Sequence, residues 1–182
     1  MQMFTQIGAS AAFAVALTAW RLGGWQILPT PQIAWVGAPP PLPKKEFAAL
    51  ADGDPDLEYA LEALHDFFSR APILGTLLEP TGGDLFEVEK LQQVEALLAP
   101  ILEKVRKAEP ERVEGMISAR GMADAAELLH RKYVYQATNV PFLGRNKQVA
   151  ELVQFLDERY PNSSADLAPT MVLRMLRLTA PG

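Results

Sequence analysis

The first 43 residues of this chain carry one charged side chain, Arg21, while the remaining 139 carry 38. Charged residues normally make up about a quarter of a soluble domain. The chain is therefore two materials joined end to end. From Ile7 to Trp20 the sequence reads IGASAAFAVALTAW without a charge, and Met3 and Phe4 extend this run backward. Arg21 interrupts it, and LGGWQIL follows as far as Leu28. A bilayer crossing takes about 20 mostly apolar residues, and Met3–Trp20 supplies 18.

The expectation is a single N-terminal transmembrane helix within an anchor region at 1–28. Arg21 would snorkel to the headgroups, and Trp20 and Trp25 would lie in the interfacial aromatic belt. Gly8, Ala12, Ala16 and Ala19 recur every three or four residues, a small-residue stripe that permits close helix packing in lipid. A cleaved signal peptide needs a basic leading region, which MQMFTQ lacks, and an organellar transit peptide should be rich in arginine. A buried helix of a soluble core is the bland alternative, made credible by the alanine content. The flanking basic residues Arg21, Lys44 and Lys45 all follow the apolar run. The positive-inside tendency then puts the C-terminal domain on the cytoplasmic or equivalent side. The glycosylation acceptor pattern Asn162-Ser163-Ser164 would matter only on a lumenal side.

Six prolines at 29, 31, 39, 40, 41 and 43 forbid a regular helix there. Residues 29–50 read as a proline-rich linker, with Pro39–Pro41 favouring polyproline II. Trp35 in its middle is costly to expose, which marks it as a contact to the domain, a neighbouring chain or the membrane interface. The lone PxxP-like stretch APPPLP is a weak signal for an SH3-type partner.

Residues 51–182 read as an all-α, irregular helical bundle. Asp54-Pro55-Asp56 is a helix start, with a capping residue, then proline at the first helical position, then an acidic first turn. Leu57, Ala60, Leu61, Leu64, Phe67 and Phe68 follow at helical spacing up to Pro72. A second helix is expected from Asp84 through Val105, kinked at Pro100. A short one should start at Pro110 and close at Gly121, followed by another over 123–136 with Ala125, Ala126, Leu129 and Tyr133 inward. A helix from Arg145 or Asn146 to Tyr160 should bury Val149, Leu152, Val153, Leu156 and Tyr160. A last one over 166–178 should turn Leu167, Val172, Leu173, Leu176 and Leu178 together, with Arg174 and Arg177 on the opposite side. No period-two strand pattern persists.

With no cysteine, thiolate metal sites, disulfides and cysteine nucleophiles are excluded. With only two histidines, His65 and His130, a tri-histidine site within the chain is excluded as well. A pI near 5.1 argues against nucleic acid as a partner.

Glu62-x-x-His65 and Glu127-x-x-His130 resemble half of a di-iron carboxylate set, for which Glu95 and Glu151 would supply the remaining carboxylates. Helical geometry argues otherwise. Both glutamates fall roughly opposite the apolar faces of their helices. A lone glutamate before the first pair would have to be Glu46, in the linker. Two surface pairs are the simpler reading, and no cofactor is expected. The basic runs His130-Arg131-Lys132 and Gly144-Arg145-Asn146-Lys147 read as solvated charges that could form a local patch.

The functional expectation is a membrane-anchored structural or accessory protein, in contact with lipid and with other subunits of a membrane-associated assembly. The alternatives are a small membrane-bound metal enzyme and a secreted helical binding module.

Overall fold

A computed structural model of the chain describes residues 13–23, 32–80, 110–140 and 142–181. Among these, regular structure is entirely helical, apart from two isolated β-bridges. The all-α class expected from the sequence holds. The helices are α1 (Lys44–Ala48), α2 (Pro55–Phe68), α3 (Ala71–Leu74), α4 (Pro110–His130), α5 (Ala150–Arg159) and α6 (Leu167–Arg177), with short 3-10 turns between some of them. Residues 13–21 are also helical. Among the described residues no helix is long and apolar enough to cross a membrane. Most of the expected span, residues 3–12, lies outside the described residues, as do Gly8, Ala12, Trp25 and the expected 84–105 helix.

α2 forms for the reasons its sequence gives. The Asp54 carboxylate accepts from the Asp56 and Leu57 amides at 3.0 and 3.1 Å, and Pro55 fills the first helical position. Leu57, Leu61, Leu64 and Phe68 then line one face and are buried. They meet Phe47, Leu50, Met116, Ala119, Leu156 and Tyr160 in a single core.

Residues 33–50, read from the sequence as a spacer, are packed on that core. Phe47, Ala48 and Leu50 are buried, and Ala34, Val36 and Leu42 pack against the cluster. Pro43 enters α1 at φ −56°, ψ 149°, a polyproline II geometry. The Leu42 carbonyl lies 3.2 Å from His65 Nε2, and Lys44 reaches Asp66 at 2.7 Å. Prolines stop this segment from forming a helix but leave its apolar side chains free to be buried.

α4 departs from the expectation. It is one 21-residue helix, running through both glycines and stopping at His130. Gly115 is a close-approach site. A Cβ there would lie 2.7 Å from Leu42 Cδ1 and 3.1 Å from Leu50 Cδ1. Gly121 does not end the helix, because the helix continues to bury Met122, Ala123, Ala125 and Ala126. Packing on one face overrides the weak local preference of glycine. After His130 the chain is extended rather than helical. The Tyr133 amide donates to the Leu178 carbonyl at 2.8 Å, and the Ala180 amide donates back to Tyr133 at 3.0 Å.

α5 begins at Ala150, after a 3-10 turn at Arg145–Lys147. Leu152, Leu156 and Tyr160 are buried as expected, together with Phe155, whereas Val149 is exposed.

α6 corrects the sequence reading most clearly. It buries Thr170, Met171 and Arg174 and leaves Val172 and Leu176 in solvent. Of the apolar residues expected to face the core, Leu167 and Leu173 pack against it, while Val172 and Leu176 face outward; of the two arginines expected outside, Arg177 is exposed and Arg174 is inside.

Candidate functional site: an apolar contact surface

The Glu-x-x-His pairs are held by separate partners. Glu62 lies 3.7 Å from Lys44, and the His65 ring packs edge-on to Phe47 with its Nε2 against the Leu42 carbonyl. Glu127 is paired with Arg131 one turn away, and His130 is exposed at the end of α4. Glu151 is engaged by Arg70 at 3.1 Å. Glu95 lies outside the described residues. Among the described residues no three of His, Asp and Glu come together as a metal-binding group.

The basic runs are likewise engaged. Arg131 bonds Glu127 and Gln32, and Lys132 bonds the Arg177 carbonyl. Arg145 grips Asp157 with both terminal nitrogens, at 2.6 and 2.7 Å. That fork, with a further hydrogen bond from Ser164, holds the Asp157 carboxyl down at about 2.

The buried side of α6 is organised by one acidic residue that carried no signal in the sequence, Glu79. Arg177 meets its carboxylate at 2.8 and 3.0 Å, Arg159 at 3.6 Å and Arg174 at 3.8 Å, and the Tyr160 hydroxyl donates to it. Arg174 is 5% exposed, and it donates to the carbonyls of Thr76, Leu78 and Leu129 at 3.3, 2.9 and 2.8 Å. Burial pushes its guanidinium downward and the Glu79 charge opposes this. The Arg177 guanidinium also stacks 4.2 Å from the Tyr160 ring centre. Burial, and then the Glu79 hydrogen bond, push the Tyr160 phenol up. Arg174 thus ties the end of α4 and the turn after α3 to α6. A buried arginine is tolerable only when it is paired and hydrogen-bonded, and here Nε and Nη2 donate to three carbonyls while Nη1 lies 3.8 Å from the Glu79 carboxylate.

With its arginine inside, α6 offers Val172 and Leu176 to solvent, and Leu176 is 63% exposed. Residues 133–140 and 142–144 lie beside it, each stretch hydrogen-bonded to it. Gln136 Nε2 donates to the Met175 carbonyl at 3.0 Å, and the Leu167 amide donates to Leu143 at 3.1 Å. These stretches expose Val134 at 95%, Tyr135 at 84% and Phe142 at 87%. Single exposed apolar residues are ordinary, whereas several large ones on adjoining elements make a candidate contact surface.

No family model matches the chain, and no curated protein is significantly similar to it.

A second apolar feature lies between the 33–41 segment and α4. Ile33, Trp35, Pro39, Ile117, Gly121 and Met122 line a groove of about 330 Å³. Trp35, singled out from the sequence as a partner contact, stands at this groove half-exposed, with its indole folded over Gly37. The sequence reading missed the opposite wall. Its only clue was a glycine inside a helix, at position 121. Of the expected anchor residues within the described region, Ala16 and Ala19 are partly covered, and Trp20 and Arg21 are exposed.

Proposed function

We propose that this protein is a membrane-anchored structural or accessory component whose helical domain binds other proteins of a membrane-associated assembly. The outward placement of Val172 and Leu176 on α6, beside a buried Arg174, carries this reading. A helix that spends a buried arginine on holding its neighbours together while presenting valine and leucine outward is built for a second surface. Tyr135 and Phe142 add the aromatic area that protein interfaces favour. The anchor rests on the sequence, since an uncharged run of membrane-spanning length precedes an acidic domain. Arg21, Lys44 and Lys45 favour the cytoplasmic or equivalent side for that domain. Lipid and neighbouring subunits are then its partners.

Alkaline carbonate extraction tests the anchor, with the full chain expected to stay in the membrane pellet. Release into the supernatant would remove this reading. Mild-detergent purification tests the contact surface. Chains that co-purify with the parent should be lost when Tyr135 and Leu176 are both changed to lysine. Stoichiometric iron, manganese or zinc in the purified protein would instead favour a metal enzyme.

A further inference from the structure

We propose that His65 is a proton-operated latch. A protonated ring fastens the chain at Leu42–Phe47 to the last turn of α2, and a neutral ring lets that hold slacken. The latch depends neither on the anchor nor on any partner.

The geometry fixes the tautomer. His65 Nε2 lies 3.2 Å from the Leu42 carbonyl, which can only accept, so Nε2 carries the hydrogen. In the neutral ring Nδ1 is then a bare acceptor. It is buried and has no hydrogen-bond partner among the described residues, a costly state for a polar atom. Phe47 of α1 packs edge-on to the same ring, with ring centres 5.8 Å apart.

One proton cures the defect. It turns Nδ1 into a donor facing Asp66 Oδ1 at 3.9 Å, the one carboxylate that close among the described residues. Lys44 already holds the other oxygen, Oδ2, at 2.7 Å, which leaves Oδ1 for the histidine. Asp66 is 62% exposed, so its side chain is free to swing into hydrogen-bond reach. The same proton strengthens the bond on the far side of the ring, because a charged donor binds a carbonyl more tightly than a neutral one.

The neighbouring charges suit a cation. Asp66 and Glu62, three residues back on the same helix, share Lys44 of α1 at 2.7 and 3.7 Å. That group sets two carboxylates against one ammonium. The hydrogen bond from Asp66 pushes Lys44 up, so it stays charged at neutral pH. A charged His65 brings the group to two and two. It also lies in the last turn of α2, where the helix dipole favours positive charge. Burial works against the charge, and it is incomplete, since the His65 side chain is 18% exposed.

The composition makes the test clean. In a chain without cysteine, only histidine side chains ordinarily change charge near neutral pH. The second histidine, His130, is exposed at the end of α4 and serves as the control.

Hydrogen exchange of the full chain in neutral detergent reads the latch at the Phe47 amide, which donates to the Pro43 carbonyl at 2.9 Å. Protection factors, corrected for the intrinsic effect of pH, are compared at about pH 5.5 and about pH 8. In the parent and in His130→Gln the factor should be roughly fivefold higher at the lower pH. His65→Gln keeps a donor for Leu42 but takes no proton, and Asp66→Ala removes the acceptor. Both should respond less than about twofold. Nitrogen–proton correlation of the parent at the higher pH should show the His65 hydrogen on Nε2, a reading that needs no variant.

A flat parent profile, or stronger protection at the higher pH, would overturn the proposal. So would a response that persists in His65→Gln or Asp66→Ala, a response that vanishes in His130→Gln, or a neutral ring with its hydrogen on Nδ1. If His65→Gln folds poorly, the parent profile, His130→Gln and the tautomer decide the matter.

Discussion

Arg174 is the residue on which the described helices converge. Its guanidinium satisfies carbonyls at Thr76, Leu78 and Leu129 and faces Glu79. Replacing it by methionine, which matches much of its volume, leaves three carbonyls short of a donor and the Glu79 carboxylate with two partly exposed arginines. Breaking one partner of such a buried set costs about 3 kcal/mol or more. Urea unfolding of Arg174→Met should register that loss, and Arg174→Lys should recover part of it, because a point charge cannot replace the planar fork. An unchanged midpoint in Arg174→Met would mean that the knot is ornamental.

Asp157 gives a pH-dependent counterpart on the surface. Its carboxyl is held at about 2, chiefly by the hydrogen bonds from Arg145, against about 3.9 for a free aspartate. A depressed folded value means that the stabilisation is fully present above about pH 4 and is lost as the pH falls through 2. Carbon-detected NMR titration of the Asp157 carboxyl should give a midpoint near 2 in the parent. In Arg145→Gln it should return to the ordinary aspartate range. The pair is exposed, so its worth lies in fixing the turn before α5 more than in global stability.

At the scale of elements, the two glycines of α4 should behave in opposite ways. Gly115 faces Leu42 and Leu50 at distances that leave no room for a Cβ, while Gly121 faces open space. Gly115→Val forces extra atoms into a filled site and should destabilise the domain by roughly 2 kcal/mol. Gly121→Ala gains helix propensity with no clash and should stabilise it by about 1 kcal/mol. Parallel thermal melts decide the matter, and a shift of the same sign in both would contradict the packing.

The same helix marks how far the sequence could be read. The start and buried face of α2 were legible, because Asp54, Pro55 and the 57, 61, 64, 68 spacing are local signals, but its end was not: it stops at Phe68, and Pro72, expected to end it, lies inside α3. α4 was divided in two because glycine speaks locally, while the burial of Met116, Met122 and Ala126 that holds it together does not. α6 was read correctly at Leu167, Leu173 and Arg177 but wrongly at Val172, Arg174 and Leu176, for a similar reason. Amphipathic spacing assumes that arginine faces water, and Glu79 with the Thr76, Leu78 and Leu129 carbonyls, 45 to almost a hundred residues away, makes the interior acceptable to Arg174. The groove was half legible. Trp35 drew notice as a costly exposed aromatic, whereas Ile117 and Met122 looked like ordinary core.

For the whole molecule, the decisive question is whether the outward apolar surface contributes to stability or to association. Tyr135 and Leu176 make their large contacts with solvent, so changing them should leave folding energy within about 0.5 kcal/mol. Tyr135→Lys with Leu176→Lys should therefore give an unchanged unfolding midpoint, higher solubility in the absence of detergent, and loss of co-purifying chains. Gly121→Leu should alter a different set of contacts, because the groove is lined by the 33–41 segment and α4, whereas the exposed surface belongs to α6 and its flanking segment. If the two surfaces act independently, the double-lysine variant keeps any groove-dependent partners, and Gly121→Leu keeps the α6-dependent ones. A component that bridges two neighbours requires both halves of that result. A component that merely decorates one neighbour would lose every partner through a single surface. Comparing the co-purified chains of the two variants side by side separates these cases, because neither substitution touches the Arg174 knot or the Phe47–Leu61–Leu156 core that holds the domain together.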